Sequence, residues 1–183
     1  VQSGKTMSFT SLIALAHQNG FPLVIVLGGT KLVLLSQTTE RLRKDLQMSG
    51  NGGANPWVLI EKPKDANFHE DLAEIQNALS IWSEPDAPEI FKPTVVITIL
   101  KHQMSMDAVT NLITNLKSKF NIDKHPVLII DDEGDQAGLN LDWRTEEEST
   151  NYAAIGRLRR SLRRHSYVMY TATPQGPLLI NIQ

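Results

Sequence analysis

Along the chain, short runs of β-branched and aliphatic residues alternate with longer stretches in which apolar positions recur every three or four residues. The first pattern predicts strands at "PLVIVL" (22–27), "WVLI" (57–60), "TVVITIL" (94–100), "VLIID" (127–131) and "YVMYT" (167–171). The second predicts helices over about 4–18, 31–47, 68–82, 106–120 and 152–164. Near-continuous apolar strands separated by helices are the mark of βαβ units, so the expected class is α/β, with a mainly parallel sheet and helices on both faces. Asn19-Gly20 suits a left-handed helix cap. The Gly-, Pro- and Asn-rich segments 49–56 and 83–93 read as loops. Residues 134–150 have no clean period and read as a long loop of the kind that carries function.

Composition narrows this reading only in places. A chain of 183 residues, 41% apolar, supports one sizeable core, so 1–183 is expected to form a single domain. A net charge of -2 excludes a global basic field, and any nucleic-acid contact has to come from a local patch. The absence of cysteine removes disulfides and thiolate metal sites and fits a cytoplasmic location. The apolar runs are too short to span a bilayer, so no membrane partner is expected. Because the chain opens on Val1 and a phosphate loop normally leaves the end of a strand, the sequence reads as a fragment of a longer protein.

Two stretches carry candidate chemistry. In "VQSGKT", Ser3, Gly4, Lys5 and Thr6 open a predicted helix. Backbone N–H groups at a helix start can face a phosphate, a lysine supplies compact positive charge, and a hydroxyl ligates magnesium. A Gly-Lys-Thr triplet alone is also an ordinary helix start. In "VLIIDDEGDQ", an apolar strand delivers Asp131, Asp132 and Glu133 to its carboxyl end, where open α/β sheets bind ligands. Asp132 is assigned to hold magnesium and Glu133 to orient and deprotonate a water, with Asp131 competing for the first role. A calcium loop fails here, because its sixth position is Gln136 rather than Gly and its twelfth is Asp142 rather than Glu. Downstream, Thr171, Ala172 and Thr173 end the last predicted strand, beside those carboxylates.

Taken in order, "SGKT", "VLGGT" with "QTTERL", "DEGD" and "TATP" resemble the first RecA-like lobe of a superfamily-two helicase. More narrowly, "VQSGKT", "VIVLGGT", "IIDDEGDQA" and "YTATP" are similar to the Z-one (Z1) domain family, bacterial ATPases described as endonucleases and linked to restriction or phage defence. Gly134 departs from the alanine usual in the acidic motif, and the strand before the loop is missing. The resemblance implies a P-loop ATPase with ATP and magnesium as cofactors and DNA as partner. It also implies a second RecA-like lobe of the same protein, which is not in this segment and would supply an arginine finger, and a nuclease domain or subunit. By the same resemblance Lys5 stabilises transferred charge and Thr6 shares the magnesium with Asp132. Thr171, Ala172 and Thr173 couple hydrolysis to movement, and Gly28, Gly29, Thr30, Gln37, Thr38 and Arg41 lie along a nucleic-acid strand. Thr30 is also expected to cap the following helix.

Other candidates weigh less. Arg157, Arg160 and Arg164 fall on one face of the predicted last helix, with Arg159 and Arg163 beside them, and such crowding invites a phosphate backbone or an acidic surface. The histidines show no metal-ligand spacing. A nuclease pattern is nearly met at "PDAPEIFK", but Glu89 and Lys92 are one residue too far apart, so any cutting centre is expected elsewhere. The alternative to a motor is a non-motor P-loop switch acting on a protein partner. A P-loop kinase fits less well, because it leaves "TATP" unexplained.

Overall fold

The computed structural model describes residues 2–48, 55–88, 91–132 and 146–171, with the backbone alone for 2–6 and 146–149. The elements follow in the order α1 (Gln2–Gln18), β1 (Leu23–Gly28), α2 (Leu32–Asp45), β2 (Trp57–Glu61), α3 (Phe68–Ser80), β3 (Thr94–Ile99), α4 (Gln103–Lys119), β4 (Val127–Asp132), α5 (Glu146–Arg160) and β5 (His165–Tyr170). The five strands form one all-parallel sheet in the order β2-β3-β1-β4-β5. The protein is therefore α/β, and all five expected strands are present.

Side chains alternate across each strand and divide the core in two. On one face Val24, Val26, Val96, Leu128 and Ile130 pack against Phe9, Ile13 and Ala16 of α1 and Leu42 of α2. On the other, Leu23, Ile25, Ile97 and Ile129 meet Ile75 of α3, Val109 and Leu112 of α4, and Leu158 of α5. The path from β1 to β2 runs toward one edge of the sheet and carries α2. The later crossovers step back toward the other edge and carry α3, α4 and α5 on the opposite face. Reversing direction and face together keeps every crossover the same hand, as the chirality of βαβ units demands.

Several boundaries differ from the sequence reading, each for a non-local reason. α5 ends at Arg160 rather than 164, because the backbone just beyond it joins the sheet: the Val127 N–H donates to the Arg164 carbonyl at 3.0 Å, and His165 pairs with Val127. Arg157 and Arg160 are thus helical and Arg164 is not, so the three do not share a helical face. At its other end α5 begins at Glu146, inside the segment expected as a loop. α4 begins three residues early, at Gln103, whose N–H donates to Asn151 Oδ1 of α5 at 2.8 Å. The N-cap of α2 is Lys31, with no side-chain cap bond, and not Thr30. The Asn19-Gly20 cap is present: Gly20 has φ 77°, and the Gly20 and Phe21 N–H groups return to the carbonyls of His17 and Ala16 at 3.1 and 3.0 Å. Among the described residues no helix is long and apolar enough to cross a membrane.

Gly28, the last residue of β1, lies where α2 presses closest to the sheet. A Cβ there would come within 2.7 Å of Leu35 Cδ1 and 3.5 Å of Leu35 Cα, and Leu35 is fully buried. Gly28→Val is expected to cost about 1–3 kcal/mol through overpacking. Urea unfolding measures it, and an unchanged midpoint would contradict the close approach of α2.

Candidate functional site

β4 is an apolar strand that ends in two adjacent aspartates, and its pleat sends them to opposite faces. Asp131 follows Val127 and Ile129 onto the side of α3, α4 and α5, whereas Asp132 follows Leu128 and Ile130 onto the side of α1 and α2. Asp132 is half-buried and pairs in register with Gly28 on one side and Tyr170 on the other.

The start of α1 reaches the same corner. α1 leads into β1 through a tight turn, so it runs antiparallel to the strands, with its N-terminus at their carboxyl ends. Ser8 Oγ lies 3.1 Å from the Tyr170 hydroxyl, and the Phe9 ring meets the Tyr170 ring edge-on at 5.7 Å between centroids. Tyr170 is the residue paired with Asp132. The backbone of Ser3, Gly4, Lys5 and Thr6 therefore forms the first turns of a helix whose opening lies over the ends of β4 and β5, on the face that carries Asp132. Their side chains lie outside the described residues, as do Glu133, Ala172 and Thr173. Thr171 is half-buried directly after β5.

Asp131, the competitor for the magnesium role, is engaged elsewhere. It is 1% exposed, forms an ion pair with the 2% exposed Lys101, and accepts a hydrogen bond from the Tyr167 hydroxyl. The Lys101 ammonium faces Asp131 Oδ1, and the Tyr167 hydroxyl faces Oδ2. The Lys101 ammonium also donates to the Asp132 carbonyl oxygen at 3.1 Å. Burial, the Asp131 charge and the hydrogen bond together hold the Tyr167 hydroxyl far above its usual range, so it stays a donor. Sequence reasoning missed Lys101, because a lysine after an apolar strand reads as a solvated end. The doubled aspartate was the available signal: with a two-residue period the pair faces opposite helix layers, and the more deeply buried one needs a cation there.

The turn after β1 holds the first group of nucleic-acid candidates. Gly28 has a packing reason to be glycine, and Gly29 takes φ 63° while its carbonyl accepts the Lys101 N–H at 2.8 Å. Thr30, Gln37 and Arg41 are exposed, whereas Thr38 is buried on the sheet side of α2. Of the arginines, Arg164 lies at the other end of the sheet. It adjoins the first residue of β4, roughly 16 Å along the strand from Asp132 at about 3.3 Å per residue. Arg157 makes a forked ion pair with Asp107, its nitrogens 2.9–3.1 Å from the two oxygens. Arg159 covers the Tyr167 ring at 4.6 Å, and Arg164 donates to the Lys124 carbonyl at 2.7 Å. Arg160 is exposed, with its guanidinium against Gly156.

Among the described residues no group of three or more His, Asp or Glu side chains is placed to hold a metal ion by itself. A magnesium ion carried mainly by phosphates and water needs one or two protein ligands, and Asp132 is the strand-end carboxylate on the α1 face. No protein family, curated protein or solved structure matches the chain.

The two aspartates should respond differently to truncation. Asp131→Ala leaves the Lys101 ammonium buried without its counter-charge and is expected to cost about 3–5 kcal/mol in urea unfolding. Asp132→Ala, at a half-buried strand end, is expected to cost under about 1 kcal/mol. Equal losses would refute the division of roles.

Proposed function

We propose that this chain is the ATP-binding, RecA-like lobe of a superfamily-two helicase-like DNA translocase or remodeller, a P-loop ATPase of a bacterial restriction or phage-defence protein. The observation that carries the reading is the convergence of the α1 N-terminus and Asp132 at one end of the sheet, on one face, with Tyr170 between them. The carboxyl end of a parallel sheet is the usual ligand crevice, and a helix N-terminus facing it favours phosphate.

In this reading the free N–H groups of the first turn of α1, at Ser3 and Gly4, receive the phosphates, and Lys5 neutralises charge on the terminal one. Thr6 and Asp132 would hold magnesium, which supplies further neutralisation of the phosphate oxygens. Asp132 fits that duty because it is the strand-end carboxylate on the α1 face, whereas Asp131 is committed to Lys101. Glu133 orients a water in line with the terminal phosphate and accepts its proton. Thr171, Ala172 and Thr173, following the strand beside β4, pass the change in phosphate occupancy to the rest of the protein. DNA is assigned to the exposed Thr30, Gln37 and Arg41, of which Thr30 adjoins the Gly28-Gly29 turn at the same end of the sheet as Asp132. A second lobe would complete the site with an arginine finger worth roughly a thousandfold or more in rate, and strand cleavage would belong to another domain or subunit.

The full-length protein is expected to hydrolyse Mg·ATP faster with DNA than without it. Glu133→Gln should lower turnover by about a hundredfold or more while keeping nucleotide binding, and Lys5→Ala should weaken binding itself. A phosphate-release assay beside a labelled-nucleotide titration separates the two. Binding of ATP with no effect of DNA on turnover would replace the motor with a nucleotide switch, and brisk turnover by residues 1–183 alone would refute the need for a second lobe.

A further inference from the structure

We infer that Lys101 is a positioning residue for the two carboxylates at the end of β4, and above all for the magnesium ligand Asp132; this rests on the function proposed above. The Lys101 ammonium spans two successive residues of β4, pairing with the Asp131 carboxylate and donating to the Asp132 carbonyl at 3.1 Å. That carbonyl belongs to the peptide unit joining residues 132 and 133. Holding it fixes the last peptide group of β4, so that the strand end and the carboxylate it carries stay in the ladder.

Lys101 is itself held in place. Its backbone N–H donates to the Gly29 carbonyl at 2.8 Å, so one residue past the end of β3 bridges the carboxyl ends of β1 and β4. The Tyr167 hydroxyl holds the second oxygen of Asp131, leaving the first facing the ammonium. β4 keeps a regular ladder through Asp132, which pairs with Gly28 and Tyr170. Stability alone does not demand this arrangement, because a buried ion pair is often replaced by apolar residues of similar size without loss. What apolar residues cannot replace is the bond to the Asp132 carbonyl.

The test is magnesium affinity rather than turnover, read in the full-length protein from the magnesium dependence of binding of a fluorescent ATP analogue. Lys101→Met is expected to raise the magnesium dissociation constant about tenfold, the usual effect of removing a partner that orients a metal ligand, and to leave metal-free nucleotide affinity within about twofold. The triple variant Lys101→Met, Asp131→Leu, Tyr167→Phe removes the ammonium, the carboxylate and the phenolic hydroxyl together and is expected to fold with a Tm near that of the wild type. It should show the same weakening of magnesium, so it carries the test if Lys101→Met alone does not fold. Wild-type magnesium affinity in either folded variant overturns the inference. A wild-type protein whose nucleotide binding ignores magnesium overturns the metal site itself, and the inference with it, before any substitution is made.

Discussion

Two carboxylates in succession at the end of a buried parallel strand cannot share one environment. The pleat sends them toward opposite helix layers, and the one that is fully buried there would cost several kcal/mol if left unpaired. Asp131 is the one that goes inward, and Lys101 is what makes that tolerable. Because the inward position is filled by an ion pair, the register of β4 is pinned: slipping it by one residue would drive Asp132 into the layer of α3, α4 and α5 and turn Asp131 toward α1. The face on which Asp132 appears, and hence the corner it shares with the start of α1, follows from where Asp131 is buried.

The topology then places that corner where ligands collect. β1 hands its chain to α2 on one face of the sheet, while its neighbours β3 and β4 hand theirs to α4 and α5 on the other. Strand ends whose connections part to opposite faces are where open α/β sheets take ligands, and Gly28 of β1 and Asp132 of β4 are register partners at such a point. The requirement for glycine at position 28 comes from the other direction, since α2 and Leu35 occupy the space a side chain would need. A small residue at this point is therefore a packing result, whatever else it permits.

The fold class was legible in the sequence because continuous apolar runs such as 94–99 and 127–130 can hardly be anything but strands covered on both faces, and the intervening segments have a clear helical period. The candidate corner was half legible. The acidic pair and the Gly-Lys-Thr triplet stand out, but which aspartate faces α1 depends on register, and register is set across the sheet. Lys101, Tyr167 and Asn151 were not legible at all, since each acts on a partner at least thirty residues away. The boundary errors share that cause: helical propensity carried the arginine run to 164, and the sheet claimed the backbone at Arg164 first.

The arginine run also changes meaning once it is placed. As one helical stripe it would be a basic track, but the helix ends within it, and three of its guanidinium groups have protein partners. Arg157 ties α5 to Asp107 of α4, and Arg164 fixes the turn before β4 through the Lys124 carbonyl. Arg159 lies over the Tyr167 ring, and the hydroxyl of that ring donates to Asp131, which pairs with Lys101. A continuous line of contacts thus runs from a surface arginine on the α5 side, through the aromatic ring and the buried ion pair, to the carbonyl of Asp132. Removing charge from the partnered arginines would act on the scaffold behind the acidic corner, which is a different effect from losing a contact to a nucleic-acid backbone, and the exposed Arg160 and Arg163 are the members on which a phosphate contact can be tested without disturbing that line.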